Sequence, residues 1–211
     1  MPKHFRPETV AASNGVATDR TFGAVAPPLY LTSTFAFEGF ERHCGYEYSR
    51  TANPTRDLLG DTLAALEGGA GAVVTSSGMA AVDLALSLLS RDDLVVAPHD
   101  CYGGTHRLLL GRRDRGQFDV LLVDQSDETA LAAALARRPK LVLIETPSNP
   151  LMRVVDIAAL AERAHAAGAR IAVDNTFLSP ALQRPIALGA DYVIHSTTKY
   201  LNGHSDVVGG A

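Results

Sequence analysis

The chain has 211 residues, 46% hydrophobic and 20% charged, and its 19 Lys and Arg against 23 Asp and Glu give a formal net charge of −4. That balance argues against a nucleic-acid partner, which draws on clustered positive charge, and no apolar run approaches the ~18 residues that span a bilayer. Met1 to Gly15 is polar and interrupted by Pro2 and Pro7, and Cys44 and Cys101 are the only cysteines, so signal peptide and disulfide framework are set aside in favour of a cytoplasmic globular protein.

The chain is expected to divide near Asn53 to Asp57. Before it, a stretch rich in Pro, Thr, Ser and Phe, including Ala26 to Tyr30 and Leu31 to Phe37, has no sustained helical period and reads as an extended arm. Its apolar side chains cannot cover one another, so the arm is expected to lie on another part of the molecule or on a partner subunit. Residues 57–211 read as an α/β domain. Strands are predicted at Ala72 to Thr75, Leu94 to Ala97, Val120 to Val123, Leu141 to Glu145, Ile171 to Val173 and Tyr192 to His195. Helices are predicted at Met79 to Leu89, Thr105 to Arg113, Glu128 to Arg137 and Ile157 to Ala166. Short Val/Ile/Leu runs alternating with helices predict a mostly parallel sheet with helices on both faces.

In such a sheet the chemistry gathers beyond the carboxyl ends of the strands. Ser76-Ser77-Gly78 there opens a helix, which suits a phosphate or another anion, or is a plain N-cap. The glycines Gly68, Gly69 and Gly71 precede the strand instead of following it, so no dinucleotide fingerprint is present. Asp174 closes an apolar strand, where a carboxylate needs a cation or several donors, unless it is a turn residue. Lys199 follows Ser196 and Thr198 at the next strand end: a lysine able to form an imine, or a solvated loop residue. With Tyr102 as an aromatic plate, the set matches pyridoxal 5′-phosphate. The seven histidines show no metal-ligand spacing, which argues against a metal.

Tyr48-Ser49-Arg50, Asn53-Pro54-Thr55-Arg56, Ser77-Gly78-Met79, Ala97 to Gly104, Glu145 to Pro150, Val173 to Phe177 and His195 to Asp206 follow one another along the chain. In order and spacing the series resembles the Cys/Met-metabolism family of pyridoxal-phosphate enzymes, of fold type I, over essentially the whole length. The resemblance implies that Lys199 is the Schiff-base lysine, Asp174 the partner of the ring nitrogen and Tyr102 the stacking residue, with a second acid/base role open to Tyr102. It implies that Gly78, Met79, Ser196 and Thr198 hold the phosphate, that Asn149 lies near the ring oxygen and that Thr176 belongs to the cofactor site. Tyr48 and Arg50 would reach the phosphate in the neighbouring subunit, within a homotetramer of two active dimers. For Arg107 and Glu47, substrate contact and solvated surface charge both stay open.

The implied reaction is γ-replacement, joining an O-acylhomoserine, succinyl or acetyl, to cysteine to give cystathionine in methionine biosynthesis. γ-Elimination, β-elimination and sulfhydrylation of acylhomoserines share these motifs. A non-catalytic assembly fragment is the reading of another class, and the joint presence of Lys199, Asp174 and Tyr102 argues against it. Family members are nearly twice as long. The resemblance therefore implies that a C-terminal domain, with the arginine that grips the substrate α-carboxylate, lies outside these residues, and that residues 1–211 alone have little turnover.

Overall fold

Proline lacks the N–H that a first helical turn leaves unpaired, and both helices of the N-terminal part begin on one: α1 (Pro7–Ser13) and α2 (Pro54–Glu67). The computed structural model describes residues 5–211, and the chain forms two compact units, one ending at Val74 and one spanning Thr75–Ala211. Between α1 and α2 lie the short antiparallel strands β1 (Phe37–Gly39) and β2 (Arg42–His43). Asn53 caps α2 by accepting the Thr55 N–H at 2.9 Å, and its amide donates to Tyr30 O at 3.1 Å and Ser49 Oγ at 2.8 Å. Arg56 Nη1 donates to Ser49 O at 2.8 Å. The Ser49 to Arg56 motif is thus a knot that ties the preceding extended stretch to the start of a helix. Gly68 ends α2 at φ 77°, a left-handed position that suits glycine.

The second unit alternates helix and strand: α3 (Gly78–Leu86), β3 (Leu94–Pro98), α4 (Gly103–Asp114), β4 (Asp119–Val123), α5 (Glu128–Ala136), β5 (Leu141–Glu145), α6 (Ile157–Ala166), β6 (Arg170–Asp174), α7 (Ser179–Leu182), a 3₁₀ turn at Pro185–Leu188, and β7 (Tyr192–Ile194). The five strands run parallel in the order β4-β3-β5-β6-β7. Alternate residues of each strand go to opposite faces. Val96, Val142, Ile144, Ile171 and Val173 pack in one core with residues of α5 and α6. Val95, Ala97, Leu141, Leu143, Ala172 and Ile194 pack in a second with residues of α3 and α4. Both faces are dry, which is why these strands carry no polar alternation.

Four expectations are corrected. The arm, read as extended, contains the helix α1, and α2 lies where no helix was predicted: its apolar residues are interrupted by Arg56, Asp57, Gly60 and Asp61, which dilute the period. Ala72 to Thr75 is no strand. Among the described residues it makes one antiparallel bridge, Thr75 with Gly210, so the ladder has a single rung. α3 ends at Leu86, short of Leu89.

Since β3 has β4 on one side and β5 on the other, and α4 and α6 pack in opposite cores, the chain leaves β3 and β5 in diverging directions. That divergence opens a crevice at the carboxyl ends of the sheet. The sheet centre carries the fold: Ile144 has no exposed surface, and Ile144→Ala is expected to lower the unfolding free energy by about 2–5 kcal/mol, read from urea denaturation followed by circular dichroism.

Candidate active site

A cavity of about 580 Å³ occupies the crevice. Every residue expected to touch the cofactor, apart from Tyr48 and Arg50, lines it: Gly78 and Met79 from α3, Tyr102 before α4, Asn149 after β5, Asp174 and Thr176 at the end of β6, and Ser196, Thr198 and Lys199 after β7. Tyr48 and Arg50 belong to the first unit, where the Arg50 guanidinium carbon sits 5.0 Å from the centre of the Tyr48 ring. Arg107 is exposed, with its guanidinium near Gly103 in α4's first turn. Glu47 is exposed in the first unit beside His43, at 3.4 Å.

One wall is the N-terminus of α3. Ser77 Oγ accepts the Ala80 N–H at 3.2 Å, so Gly78 and Met79 present the orphan donors of the first turn, at the positive end of the helix dipole. Gly78 is required there: a Cβ would stand 2.5 Å from Ser196 Cβ and 2.8 Å from Ser196 Cα. The Ser196 N–H donates to Thr176 Oγ1 at 2.9 Å, and the Thr198 hydroxyl donates to Gly209 O at 3.1 Å while accepting the Gly209 N–H at 3.0 Å. Thr198 thereby anchors the loop that follows Lys199. Lys199 itself is exposed at the rim of the cavity.

The facing wall is Tyr102. Its ring lies over Gly104, where a Cβ would come within 2.5 Å of Tyr102 Cε1 and 2.8 Å of Met79 Sδ. Phe177 and Tyr200 add a tilted ring pair with centroids 6.2 Å apart, and both line the cavity. At the floor, Asp174 Oδ1 accepts the Thr176 N–H at 3.0 Å. Burial pushes its carboxyl above the usual carboxylate range, against the pull of the Thr176 hydrogen bonds and of His195. Asn175, wholly buried, donates to Gln183 O at 2.9 Å and accepts from Gln183 Nε2 at 3.0 Å, so it braces the turn after β6 and takes no place in the cavity.

Among the lining residues to which the sequence assigned no role, two are both polar and buried. Thr105, 2% exposed, faces the cavity with a hydroxyl that has no protein partner. Glu145, 8% exposed, accepts the Tyr102 N–H on Oε2 at 2.8 Å and the Asn149 N–H on Oε1 at 2.7 Å. Burial raises its carboxyl from 4.5 to about 7, with Asp174 and Asp100 adding to the rise and the two N–H donors opposing it. The signal for Glu145 was available: an acid closing an otherwise apolar strand, as Asp174 does. Thr105 carried none, because a threonine in the first turn of a helix is ordinary.

Fold and site define a cofactor-binding α/β enzyme. The chain belongs to the Cys/Met metabolism PLP-dependent enzyme family, whose profile matches residues 8–211. It is 58% identical over 203 residues to the cystathionine gamma-synthase of Escherichia coli K12, covering 96% of this chain and 53% of that one. It is 48% identical over 203 residues to a cystathionine beta-lyase of Lactococcus lactis subsp. cremoris, covering 96% and 53%. Among solved structures, cystathionine gamma synthase from Xanthomonas oryzae pv. oryzae in complex with cystathionine superposes with a TM-score of 0.96 at 54% identity, over 98% of this chain and 54% of that one. A cystathionine gamma lyase from Micromonospora echinospora gives a TM-score of 0.92 at 43% identity, over 98% and 54%. The chain therefore spans about half the length of the relatives it matches.

Pyridoxal 5′-phosphate suits the residues present. The α3 terminus offers N–H donors to a phosphate, Asp174 is a half-buried acid with no Lys or Arg paired to it among the described residues, and Thr105 carries an orphan hydroxyl. Among the described residues no cluster of His, Cys, Asp or Glu could hold a metal, and no helix is long and apolar enough to cross a membrane.

Gly78→Ala forces Ser196 back from the α3 terminus and is expected to weaken pyridoxal-phosphate binding roughly tenfold or more, measured by absorbance titration. A pH dependence follows from Glu145. Between 4.5 and about 7 the folded chain holds a proton on Glu145 that the unfolded chain has released, so this group's contribution to stability is lost as pH rises through that window. The stability of the wild type relative to Glu145→Gln should fall between about pH 4.5 and about pH 7, as read from urea denaturation at both.

Proposed function

We propose that this chain carries the cofactor half of an enzyme that joins an O-acylhomoserine to cysteine by γ-replacement, with cystathionine as product. The observation that supports it most is the convergence of Lys199, Asp174, Tyr102 and the α3 terminus on one cavity, together with relatives named for that synthesis over almost all of this chain. Replacement is favoured over elimination by those relatives, while the relative named beta-lyase makes elimination the second reading.

Bound pyridoxal 5′-phosphate supplies an aldehyde carbon for an amine and a ring that draws electrons from the substrate's α-carbon. The protein's part is placement and proton movement. The α3 N–H groups of Gly78 and Met79, with the Ser196 hydroxyl, hold the phosphate by charge-assisted hydrogen bonds. Asp174, ionised against a protonated ring nitrogen, would keep the ring electron-poor, and the pairing would remove the cost of leaving that carboxylate alone. Tyr102 would pack on the ring, and Asn149 would donate to it. Lys199 would hold the aldehyde and, once a substrate amine is bound in its stead, would be the base at the cavity rim that moves a proton at the substrate's α-carbon and then its β-carbon, as loss of a γ-acyloxy group and addition of cysteine sulfur require.

In the assembled protein, Tyr48 and Arg50 reach a neighbouring subunit's phosphate within a homotetramer. This is supported by the apolar side chains of the first unit, among them Phe22, Leu31 and Phe40, each more than nine-tenths exposed in the single chain, which call for a covering surface.

The test is made on the protein extended to the length of its relatives, incubated with O-succinyl- and O-acetylhomoserine, with and without cysteine. Cystathionine is expected only when both partners are present. Release of an α-keto acid with no cystathionine in any mixture would overturn the proposal in favour of elimination. Borohydride reduction is expected to fix the cofactor on the peptide containing Lys199, and Lys199→Ala to abolish that label and reduce turnover by at least about a hundredfold, the lower range for loss of a general base.

A further inference from the structure

Tyr102 and Asn149 stand on different loops, one after β3 and one after β5, yet their backbone N–H groups meet on one side chain. Glu145 Oε2 accepts from Tyr102 at 2.8 Å and Oε1 from Asn149 at 2.7 Å. Nothing about the strand itself asks for an acid at its last position: the four residues before it, Leu141 to Ile144, are buried and apolar. The charged groups around Glu145 are the carboxylates Asp100 and Asp174, and the neighbouring Cys101 thiol is pushed up to about 12 by burial and by these acids. The carboxylate is thus held against desolvation and repulsion, and the two N–H donors are what offset them. What a carboxylate gives that a shorter or neutral side chain does not is two acceptors set apart widely enough to take one donor from each loop.

The consequence reaches the cavity. Tyr102 is the N-cap of α4, with no side-chain cap bond of its own. Fixing its N–H to Glu145 fixes the origin of a ring already confined by Gly104 and Met79. A second tie between the same two loops, from Ser148 Oγ to Asp100 Oδ2 at 2.7 Å, lies beside the first. It holds the loops together but bonds to neither Tyr102 nor Asn149.

We propose that Glu145 is a positioning residue of the cofactor site, a clamp whose two oxygens set the Tyr102 ring and Asn149 at a fixed distance across the crevice. The proposal rests on the reading of Tyr102 and Asn149 as cofactor contacts. Glu145→Gln keeps the shape but turns an NH₂ toward one of the two N–H donors, so one loop loses its anchor. Glu145→Asp keeps the charge but is one methylene short of spanning both.

Wild type and both variants are loaded with pyridoxal 5′-phosphate, and three quantities are read: the cofactor dissociation constant, the visible circular dichroism of the bound cofactor, and the borohydride label on Lys199. The expected result is that all three proteins label Lys199, while both variants bind the cofactor about tenfold or more weakly, as the loss of a charge-assisted hydrogen bond implies, and lose much of the visible dichroism that a fixed ring environment induces. If Glu145→Gln does not fold, Glu145→Asp gives the reading. Wild-type affinity and dichroism in a folded variant overturn the proposal, even with a lowered melting temperature, because that pattern belongs to a purely structural tie. A wild type that takes up no cofactor and labels no lysine brings down the cofactor reading and this proposal together. Cofactor uptake with unaffected variants brings down this proposal alone.

Discussion

Two carboxylates stand side by side on the last rung of neighbouring strands, and the site is arranged around that pair. Glu145 and Asp174 are register partners at the carboxyl ends of β5 and β6; burial pushes both carboxyls up, and Asp174 adds to the rise at Glu145. In water such a pair would simply solvate. At the end of a sheet dry on both faces, each acid must find its own donors, and they find different ones. Glu145 takes two backbone N–H groups from the chain. Asp174 takes the Thr176 N–H, feels the pull of His195 and lines the cavity. Two similar acids in adjacent positions thereby have different surroundings, one bonded to two loops of the chain and one lining the cavity.

This separation depends on the strand order. With β3 between β4 and β5, the loops after β3 and β5 part company, and a crevice forms that no helix crosses. The α3 terminus and the segment after β7 close it from the far side, and the contact there is tight enough that glycine is the residue Gly78 must be. The cavity is bounded by parts of the chain far apart in sequence, from Ser77 to Ser205, and a parallel sheet is what brings them to one edge.

Much of this was legible in the sequence because each strand is a short apolar run, and the first polar residues after it mark where the run leaves the core. Tyr102, Asn149, Asp174, Ser196 and Lys199 are legible in this way, since each closes a strand or lies on the short segment after one. Legibility fails where structure is set by a neighbour and not by the local pattern. Ala72 to Thr75 has the composition of a strand but, among the described residues, makes one bridge, Thr75 with Gly210. α2 is anchored by its ends, through Asn53, Pro54 and Gly68, and its interior shows too little periodicity to be recognised. Glu145 was read as part of a motif and not as a separate actor, because a carboxylate's role depends on which donors the fold brings to it, and both of its donors come from other segments.

The same logic separates the residues of a motif that touch a ligand from those that hold the loop. In the run from Glu145 to Pro150, Thr146 Oγ1 accepts the Val155 N–H at 3.1 Å and Ser148 Oγ donates to Asp100, while Asn149 and Pro147 line the cavity. In the run from Val173 to Phe177, Asn175 braces the following turn, while Asp174, Thr176 and Phe177 face the cavity. Neighbouring residues in an irregular loop point in different directions, so cavity-lining and loop-holding residues are mixed within each motif. A contiguous motif is therefore two interleaved sets, one that lines the cavity and one that holds the backbone presenting it. A site built this way transmits a fault in either set: loosening Ser148 or Asn175 frees the loop that carries Asn149 or Thr176, although neither side chain comes to the ligand.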